Sequence, residues 1–554
     1  MKISPDFGAR KIRLALGRAG GIISENVRGE SQVSRLASVY SGAEWVITAS
    51  LLLYAVFAPH SIAVTEGSCL LGLAAWGVQL AISPRIGRPR SAIDLALFGF
   101  FACCVVSSFF SYDALLSIKG LKSPAFFLAF YLVSTKIKSI QFARFLVLSV
   151  IASCLLNVGA TAQQLFAGRG VRIDVINRGS EFEGKGLLPG DVIVEADGHA
   201  VDDAQDLIRI VDSSRGPLKI RFERSESLSE ASVSRQALRE YFRKTGDPLG
   251  LVTSPGRDFR VKGFYSHYET YAEVLQMIAA LGIGLLVALP RKRSLEGLFL
   301  SIALVLVTTA LVLTATRAAF IGLAIAAAVI TGWSRSKRAM IAFAVLLILV
   351  APAALYRLER SRGSAILTPE EGSSAYRFEV WREALGIIKD HPLVGIGKGS
   401  EAKLRSSLEL YDGGRLPPGH FHSTLIQVAT WWGLPALIFY GSFMAIFLLM
   451  AGRLARGLSG GEWKARGIAL GTLGSISAFN VSSIFHFNFG DGEVVMALWL
   501  VAGILFAVNR LALGSSADAG DSGSAVAPLS DSSEKPRLRA ASGSSLHAAG
   551  ITKN

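Results

Sequence analysis

The chain has 554 residues, of which 51% are hydrophobic and only 18% charged. Soluble domains average about 25% charged residues, so a string of globular units is excluded and a multi-spanning membrane protein indicated. The net charge of +15 reads first as a topology signal rather than as nucleic-acid binding, because cytoplasmic loops of membrane proteins retain Lys and Arg. Cys69, Cys103, Cys104 and Cys154 all lie in apolar runs without metal-ligand or disulfide spacing, which argues against redox chemistry.

Residues 1–43 are polar, carry seven Lys or Arg and lack the apolar core of a cleavable signal, so the first hydrophobic run is expected to act as a signal anchor. A bilayer core requires roughly 20 apolar residues per helix. Near-uncharged stretches approaching that size predict spans at 45–64, 67–83, 92–110, 121–135 and 145–162, all within 44–162. A second group follows within 271–357, at 271–290, 295–316, 318–333 and 339–357, and a third within 423–510, at 423–450, 467–486 and 491–509. Alternate loops hold the basic residues: Arg85, Arg88 and Arg90, then Lys136, Lys138 and Arg144, then Arg291, Lys292 and Arg293, then Arg335, Lys337 and Arg338, then Arg453, Arg456, Lys464 and Arg466. The expected fold class is therefore an all-α polytopic membrane protein of about twelve transmembrane helices, with both termini cytoplasmic. The hydrophilic segments 163–270 and 358–422 fall on the opposite side of the membrane. The tail, 511–554, is rich in Ser, Ala and Gly and is expected to be disordered.

Within the first hydrophilic segment, Gly168-Arg-Gly170-Val171 precedes a strand-like run, and Leu187-Leu-Pro-Gly-Asp-Val-Ile-Val194 is followed by Asp197-Gly198 and a helical pattern from Ala204 to Val211. These residues resemble a PDZ domain of the bacterial envelope type over about 166–224, which implies a small α+β insertion at 163–227. The resemblance implies that Gly168, Gly170 and Val171 present backbone N–H groups to a peptide C-terminus, with an envelope protein as partner; a docking or spacer module without a free peptide is the alternative. Residues 228–270 are expected to be a connector. Its stretch 228–246, with Arg235, Arg239, Arg243 and Lys244 beside Leu238, Tyr241 and Phe242, suits either a helix on the membrane surface or a solvated link.

Three polar features stand out against the apolar background. The stretch 295–333 is too long for one crossing and must reverse at Thr314-Ala-Thr316-Arg317, which sets Arg317 in a tight hairpin. An arginine at such depth is a functional candidate unless it snorkels to lipid phosphates. Arg260, in Arg260-Val-Lys-Gly263 just ahead of the sixth span, offers a rigid donor fork suited to phosphate. Pro417-Pro-Gly-His420-Phe-His422-Ser423 leads directly into a span. There the exposed N–H groups of a helix start favour an anion and keep a histidine neutral, able to act as a base. His420 and His422 alone are a poor metal pair.

The order of these segments resembles the O-antigen ligase family of membrane glycosyltransferases, which includes O-antigen ligases, O-antigen polymerases and some protein O-oligosaccharyltransferases. The matching pieces are Arg260-x-x-Gly263 with His267, and Thr314-x-Thr316-Arg317. They continue with Tyr376-Arg377-x-x-x-Trp381 and Asp390-His-Pro-Leu-Val-Gly-Ile-Gly-Lys-Gly399, then His422-Ser423-x-Leu425-x-Gln427 followed by Gly433-Leu. The resemblance implies a glycan donor on a polyprenyl diphosphate, held by Arg260 and Arg317 with Arg377 and Ser423 helping to bind it. His422 would assist the acceptor hydroxyl, with no metal and no cofactor. It further implies a bacterial inner-membrane location, with lipid A-core or a growing glycan as acceptor, and ligation ahead of polymerisation. His267 and Tyr268 stand where the family often has Pro-Asn, and an insertion of this kind is unusual in it. The rival readings are an intramembrane protease, disfavoured by the absence of His-Glu-x-x-His, and a PDZ-containing transporter or scaffold, disfavoured by the lack of a visible repeat of the two halves.

Overall fold

The computed structural model describes residues 27–83, 91–168, 170–213, 216–224, 227–256, 260–334, 336–338, 341, 345, 372–404 and 419–522. Eleven helices among them are long and apolar enough to cross a membrane: Ser34–Phe57, Ile62–Ile82, Ala92–Phe109, Ala114–Lys136, Ile140–Ala167, Tyr268–Ala288, Leu295–Leu313, Arg317–Ser334, Thr424–Gly457, Gly460–Phe485 and Gly492–Leu513. The chain is a multi-pass membrane protein. The span expected at 339–357 lies almost wholly outside the described residues, as do 1–26, the basic loop 84–90 and the tail from 523 onward. The helix that begins at Gly492 continues to Ser522, beyond the point at which the tail was expected to lose structure.

Side chains already visible in the sequence set the helix ends. Ser139 accepts from Phe142 N–H at 3.1 Å and Ser294 from Gly297 N–H at 3.2 Å, and Ser91 pairs reciprocally with Asp94, each satisfying donors that the first helical turn leaves open. The fourth crossing is longer and more broken than the expected 121–135: it runs Ala114–Gly120, Lys122–Ala125 and Phe127–Lys136. Pro124 within it has no N–H to give and crowds the carbonyl four residues back, at Gly120.

The helices Tyr268–Ala288 and Trp463–Phe485 pack against each other through glycines. A Cβ placed on Gly284 would stand 2.1 Å from the Gly471 nitrogen, so the two backbones approach as closely as small residues permit, the device that joins helices where lipid tails supply no hydrophobic drive.

The helix Thr424–Gly457 is kinked. Gly433 takes φ 84°, and Pro435 follows it, so the carbonyls of Thr430 and Trp431 lose their helical partners. Both are recovered from outside: Ile396 N–H donates to Thr430 O and Gly397 N–H to Trp431 O, each at 2.9 Å, while Leu434 N–H turns to Pro392 O at 2.7 Å. The Gly395-x-Gly397-x-Gly399 run is thus a loop backbone laid against an opened helix, and Gly395 is obligatory there because a Cβ would lie 2.5 Å from the Thr430 and Trp431 carbonyls.

The insertion forms a six-stranded antiparallel sheet. Its strands are β1 (Val171–Ile176), β2 (Val192–Ala196), β3 (His199–Ala200), β4 (Leu218–Arg224), β5 (Ser227–Val233) and β6 (Leu251–Pro255), in the order β5-β4-β2-β1-β6, with β3 on β2. In β4, Leu218, Ile220 and Phe222 are buried and alternate with outward Lys219 and Arg221, the period-2 pattern of a half-covered strand. The sheet corrects the boundary expected at 227: β5 and β6 belong to this domain. The segment expected as a surface helix or link over 228–246 is β5 followed by a helix, Arg235–Thr245, whose Leu238 joins the domain core. Arg235 is fully buried. It donates to the carbonyls of Ile210, Val211, Gly216 and Pro217 at 2.9–3.1 Å and pairs with Asp197, closing the end of the helix Ala204–Ser213 where a cation is favoured. This arginine is therefore spent inside the domain and not on an exposed basic face.

Candidate active site at the ends of the spans

Four segments meet where the helices beginning at Tyr268, Arg317, Thr424 and Gly492 start and those ending at Leu313 and Phe485 stop. The first runs from Arg260 to Tyr268. Val261 N–H donates to Leu313 O at 3.3 Å, which ties this segment to the hairpin carrying Arg317. Gly263 takes φ 54° beside Asn157, whose Oδ1 accepts from Phe264 N–H at 3.0 Å. Arg260 is buried, with its guanidinium 4.4 Å from the centre of the Tyr268 ring, a cation–π contact.

The second segment is the hairpin itself. Thr314 and Thr316 are buried, Ala315 between them takes φ 50°, and Arg317 opens the next helix. The reversal falls where the sequence required it.

The third is the helix Gly372–Asp390. Its Trp381 Nε1 donates to Phe421 O at 2.7 Å, and one turn earlier the Tyr376 ring meets the His422 ring edge-on at 5.5 Å. Arg377 Nη2 stands 3.9 Å from Glu269 Oε1.

The fourth is Gly419–Ser423. Phe421 N–H donates to Gln427 Oε1 at 2.8 Å, and Gln427 Nε2 donates to Glu401 Oε1 at 2.9 Å; Trp431 Nε1 donates to the same carboxylate oxygen. This buried chain fixes the loop from beneath. His422 takes φ 47°, a conformation costly for a residue with a Cβ and one that clusters at functional sites. The His420 and His422 rings are 4.1 Å apart, and His422 N–H donates to His420 Nδ1 at 3.1 Å. Ser423 is the cap of the following helix.

Glu269, Glu273 and His486 lie within this convergence, and the sequence reading passed over all three. His486 Nε2 is 2.9 Å from Glu269 Oε2, and its Nδ1 is 3.0 Å from Glu273 Oε1. Its carbonyl accepts both the N–H and the hydroxyl of Thr424 at 3.1 Å. Thr270 donates to Asp491 at 2.9 Å. The available signal was the i,i+4 spacing of Glu269 and Glu273 at the start of an otherwise apolar span, which puts two carboxylates on one helix face where ionisable groups are expensive.

The electrostatics divide the three histidines. Burial, helped by the Arg377 charge, pushes His422 down to about 4, and burial with His422 and His486 nearby takes His420 to about 3. Both are neutral at pH 7, so the His422 imidazole can accept a proton. Its Nδ1 is buried without a hydrogen-bond partner among the described residues. Burial alone would lower His486 too, but the Glu273 and Glu269 carboxylates outweigh it and hold this histidine well above its ordinary value. Among the described residues, Glu273, His486 and Asp491 have donor atoms within 4.8 Å of one another, close enough for a metal ion. Both nitrogens of His486 already face carboxylates, so a cation there would have to break one of these contacts.

The structure thus joins Arg377 and His422 around Glu269, with Ser423 next to His422 at the start of the following helix, and connects Arg260 through Tyr268, the residue before Glu269. Arg317 sits at the same ends of the helices. Gly168 caps the span Ile140–Ala167, one turn after Gln164, which donates to Gly263 O at 2.8 Å, and Gly170 leads into Val171 at the start of the inserted sheet. There β1 is paired on one side by β2 and on the other by β6, with Val171 opposite both Ile193 and Pro255, so neither side of β1 at Val171 is open to an added strand.

Residues 302–441 match the family model described as O-antigen ligase. No curated protein matches the chain. The match includes Arg317, Arg377, His422 and Ser423 and leaves Arg260, Glu269 and His486 outside it.

Proposed function

From the match of residues 302–441 to the O-antigen ligase family model, we propose that the chain moves a glycan from a polyprenyl-diphosphate carrier to an acceptor hydroxyl at the periplasmic face of the inner membrane. The acceptor in this reading is lipid A-core. One observation carries it: a neutral histidine, His422, and a cation, Arg377, come from opposite ends of a long loop and converge over Glu269 at the ends of the spans. A base beside a cation is what attack by a hydroxyl on a sugar bearing an anionic leaving group requires.

In the reaction, His422 takes the proton of the acceptor hydroxyl as its oxygen bonds to the anomeric carbon. The bond from that carbon to the phosphate oxygen breaks, and the polyprenyl diphosphate leaves with the bonding electrons. Attack from the face opposite the leaving group inverts the linkage. Arg260 and Arg317 hold the diphosphate and stabilise its developing charge, the kind of preorganised term that is often the largest in catalysis. Arg377 and Ser423 bind the donor beside them. Arg260 is held in place by the Tyr268 ring.

Deletion of the gene in its host, with surface glycolipids separated on a gel, tests the reading. Core lipid bare of glycan is the expected result. Core carrying a single repeat unit would assign polymerisation instead, and an unchanged ladder would contradict both.

A further inference from the structure

Glu269 is out of keeping with a site for an anionic donor. Its Oε1 faces Arg377 Nη2 at 3.9 Å, too long for a tight hydrogen bond, so an incoming diphosphate would compete with this carboxylate for the same cation. An uncompensated carboxylate there would repel the donor. Glu273 lies one turn on, almost fully buried, and Asp491 borders the same cluster.

We propose that His486 is the counter-ion of the donor site: as an imidazolium held between Glu269 and Glu273, it cancels the Glu269 charge and frees Arg377 for the diphosphate. This rests on the donor-binding reading above. The geometry supports it, because both nitrogens of His486 face carboxylate oxygens, at 2.9 and 3.0 Å, and a neutral imidazole has only one N–H to offer. The other groups facing His486 point the same way. From the neighbouring loop come His420, whose ring is 5.7 Å away, and His422, both kept neutral by burial and nearby positive charge. From the start of the next helix comes Asp491. Arg377 reaches Glu269 from the far side. When the donor arrives, Arg377 exchanges one Glu269 oxygen for phosphate, and the carboxylate stays paired with His486 through the other. His486 is thereby a positioning residue, acting on the donor through Glu269 and Arg377.

The test uses the full chain in nanodiscs, with labelled undecaprenyl diphosphate as probe and empty discs as background. His486→Gln should weaken binding about tenfold or more, because Glu269 and Glu273 both lose their shared cation and Glu269 stands beside the anion site. In transfer assays it should raise the donor KM more than it lowers kcat. Adding Glu269→Gln to His486→Gln removes the stranded carboxylate that faces Arg377, leaving only Glu273 one turn further in, and should return binding to within about threefold of the unmodified protein. The inference is overturned if His486→Gln binds the probe normally, or if the double variant binds no better than His486→Gln, since a packing role would not be rescued by removing a charge. Failure of the unmodified protein to bind the probe would refute the donor reading itself and this inference with it.

Discussion

Gln427 is the residue on which the position of His422 depends most directly. It is fully buried, accepts from Phe421 N–H at 2.8 Å and donates to Glu401 at 2.9 Å. Replacing it with Leu keeps the volume but deletes both bonds, leaving the Phe421 N–H without its acceptor and removing one donor from the Glu401 carboxylate. The stranded Phe421 N–H costs about 1–3 kcal/mol, while the Glu401 carboxylate keeps Trp431 Nε1 as a donor, so the loop 420–423 loses about 1–3 kcal/mol of preference for its present position. Trp381, which holds the Phe421 carbonyl, restrains the loop enough for the protein to fold. Displacing a catalytic group by about 1 Å costs roughly a hundredfold in rate. Gln427→Leu is therefore expected to lower kcat about a hundredfold in initial-rate transfer assays on reconstituted protein, with the donor KM within about threefold of the unmodified value, because Arg260 and Arg317 are untouched. Normal kcat would refute the argument that this buried chain positions the base.

Other perturbations bear on separate parts of the account. Tyr268→Ala removes the ring under Arg260 and should weaken donor affinity by about 2- to 30-fold, the equivalent of about 0.5–2 kcal/mol, whereas Tyr268→Phe should retain it; titration of the donor in transfer assays distinguishes them. Since His422 is a base only above about 4, kcat/KM should hold from neutrality down to about pH 5 as far as this group is concerned and fall below it. On the alkaline side the sign reverses. His486, raised by its carboxylates, contributes stability that is complete below the ordinary histidine value of about 6.5 and is lost as pH rises through its own higher value, so thermal stability and donor affinity should decline together at alkaline pH. Gly284→Ala puts a Cβ 2.1 Å from Gly471 N and should cost about 1–3 kcal/mol, read as earlier loss of the monodisperse peak when detergent extracts are heated before size-exclusion chromatography.

The eleven described spans were legible because uninterrupted apolar length survives without any tertiary information, and the reversal at Arg317 followed from length alone. The start of a span directly after His422-Ser423 was likewise local. Less could be read where structure depends on distant pairing. β6 is only Leu251-Val-Thr-Ser-Pro255, with nothing in it to say that it joins β1 nearly 80 residues earlier, and so the inserted domain was closed too soon. Arg235 looked like one more basic residue on an amphipathic helix; its burial comes from carbonyls of another helix and a neighbouring turn. Gly433 and Pro435 were visible, but the kink was not foreseen, since the donors that make it tolerable come from Ile396 and Gly397. His486 was missed for the same reason. Its partners are more than 200 residues away in sequence, and a histidine between two spans has no local mark of charge.

The central claim is tested most directly by reconstituting the purified chain in liposomes with a polyprenyl-diphosphate-linked glycan and lipid A-core, then following both products by mass spectrometry. The account predicts glycan on the core together with free polyprenyl diphosphate in equal amounts, and loss of both with His422→Ala. Transfer at the normal rate by His422→Ala, or none by the unmodified chain, would contradict it.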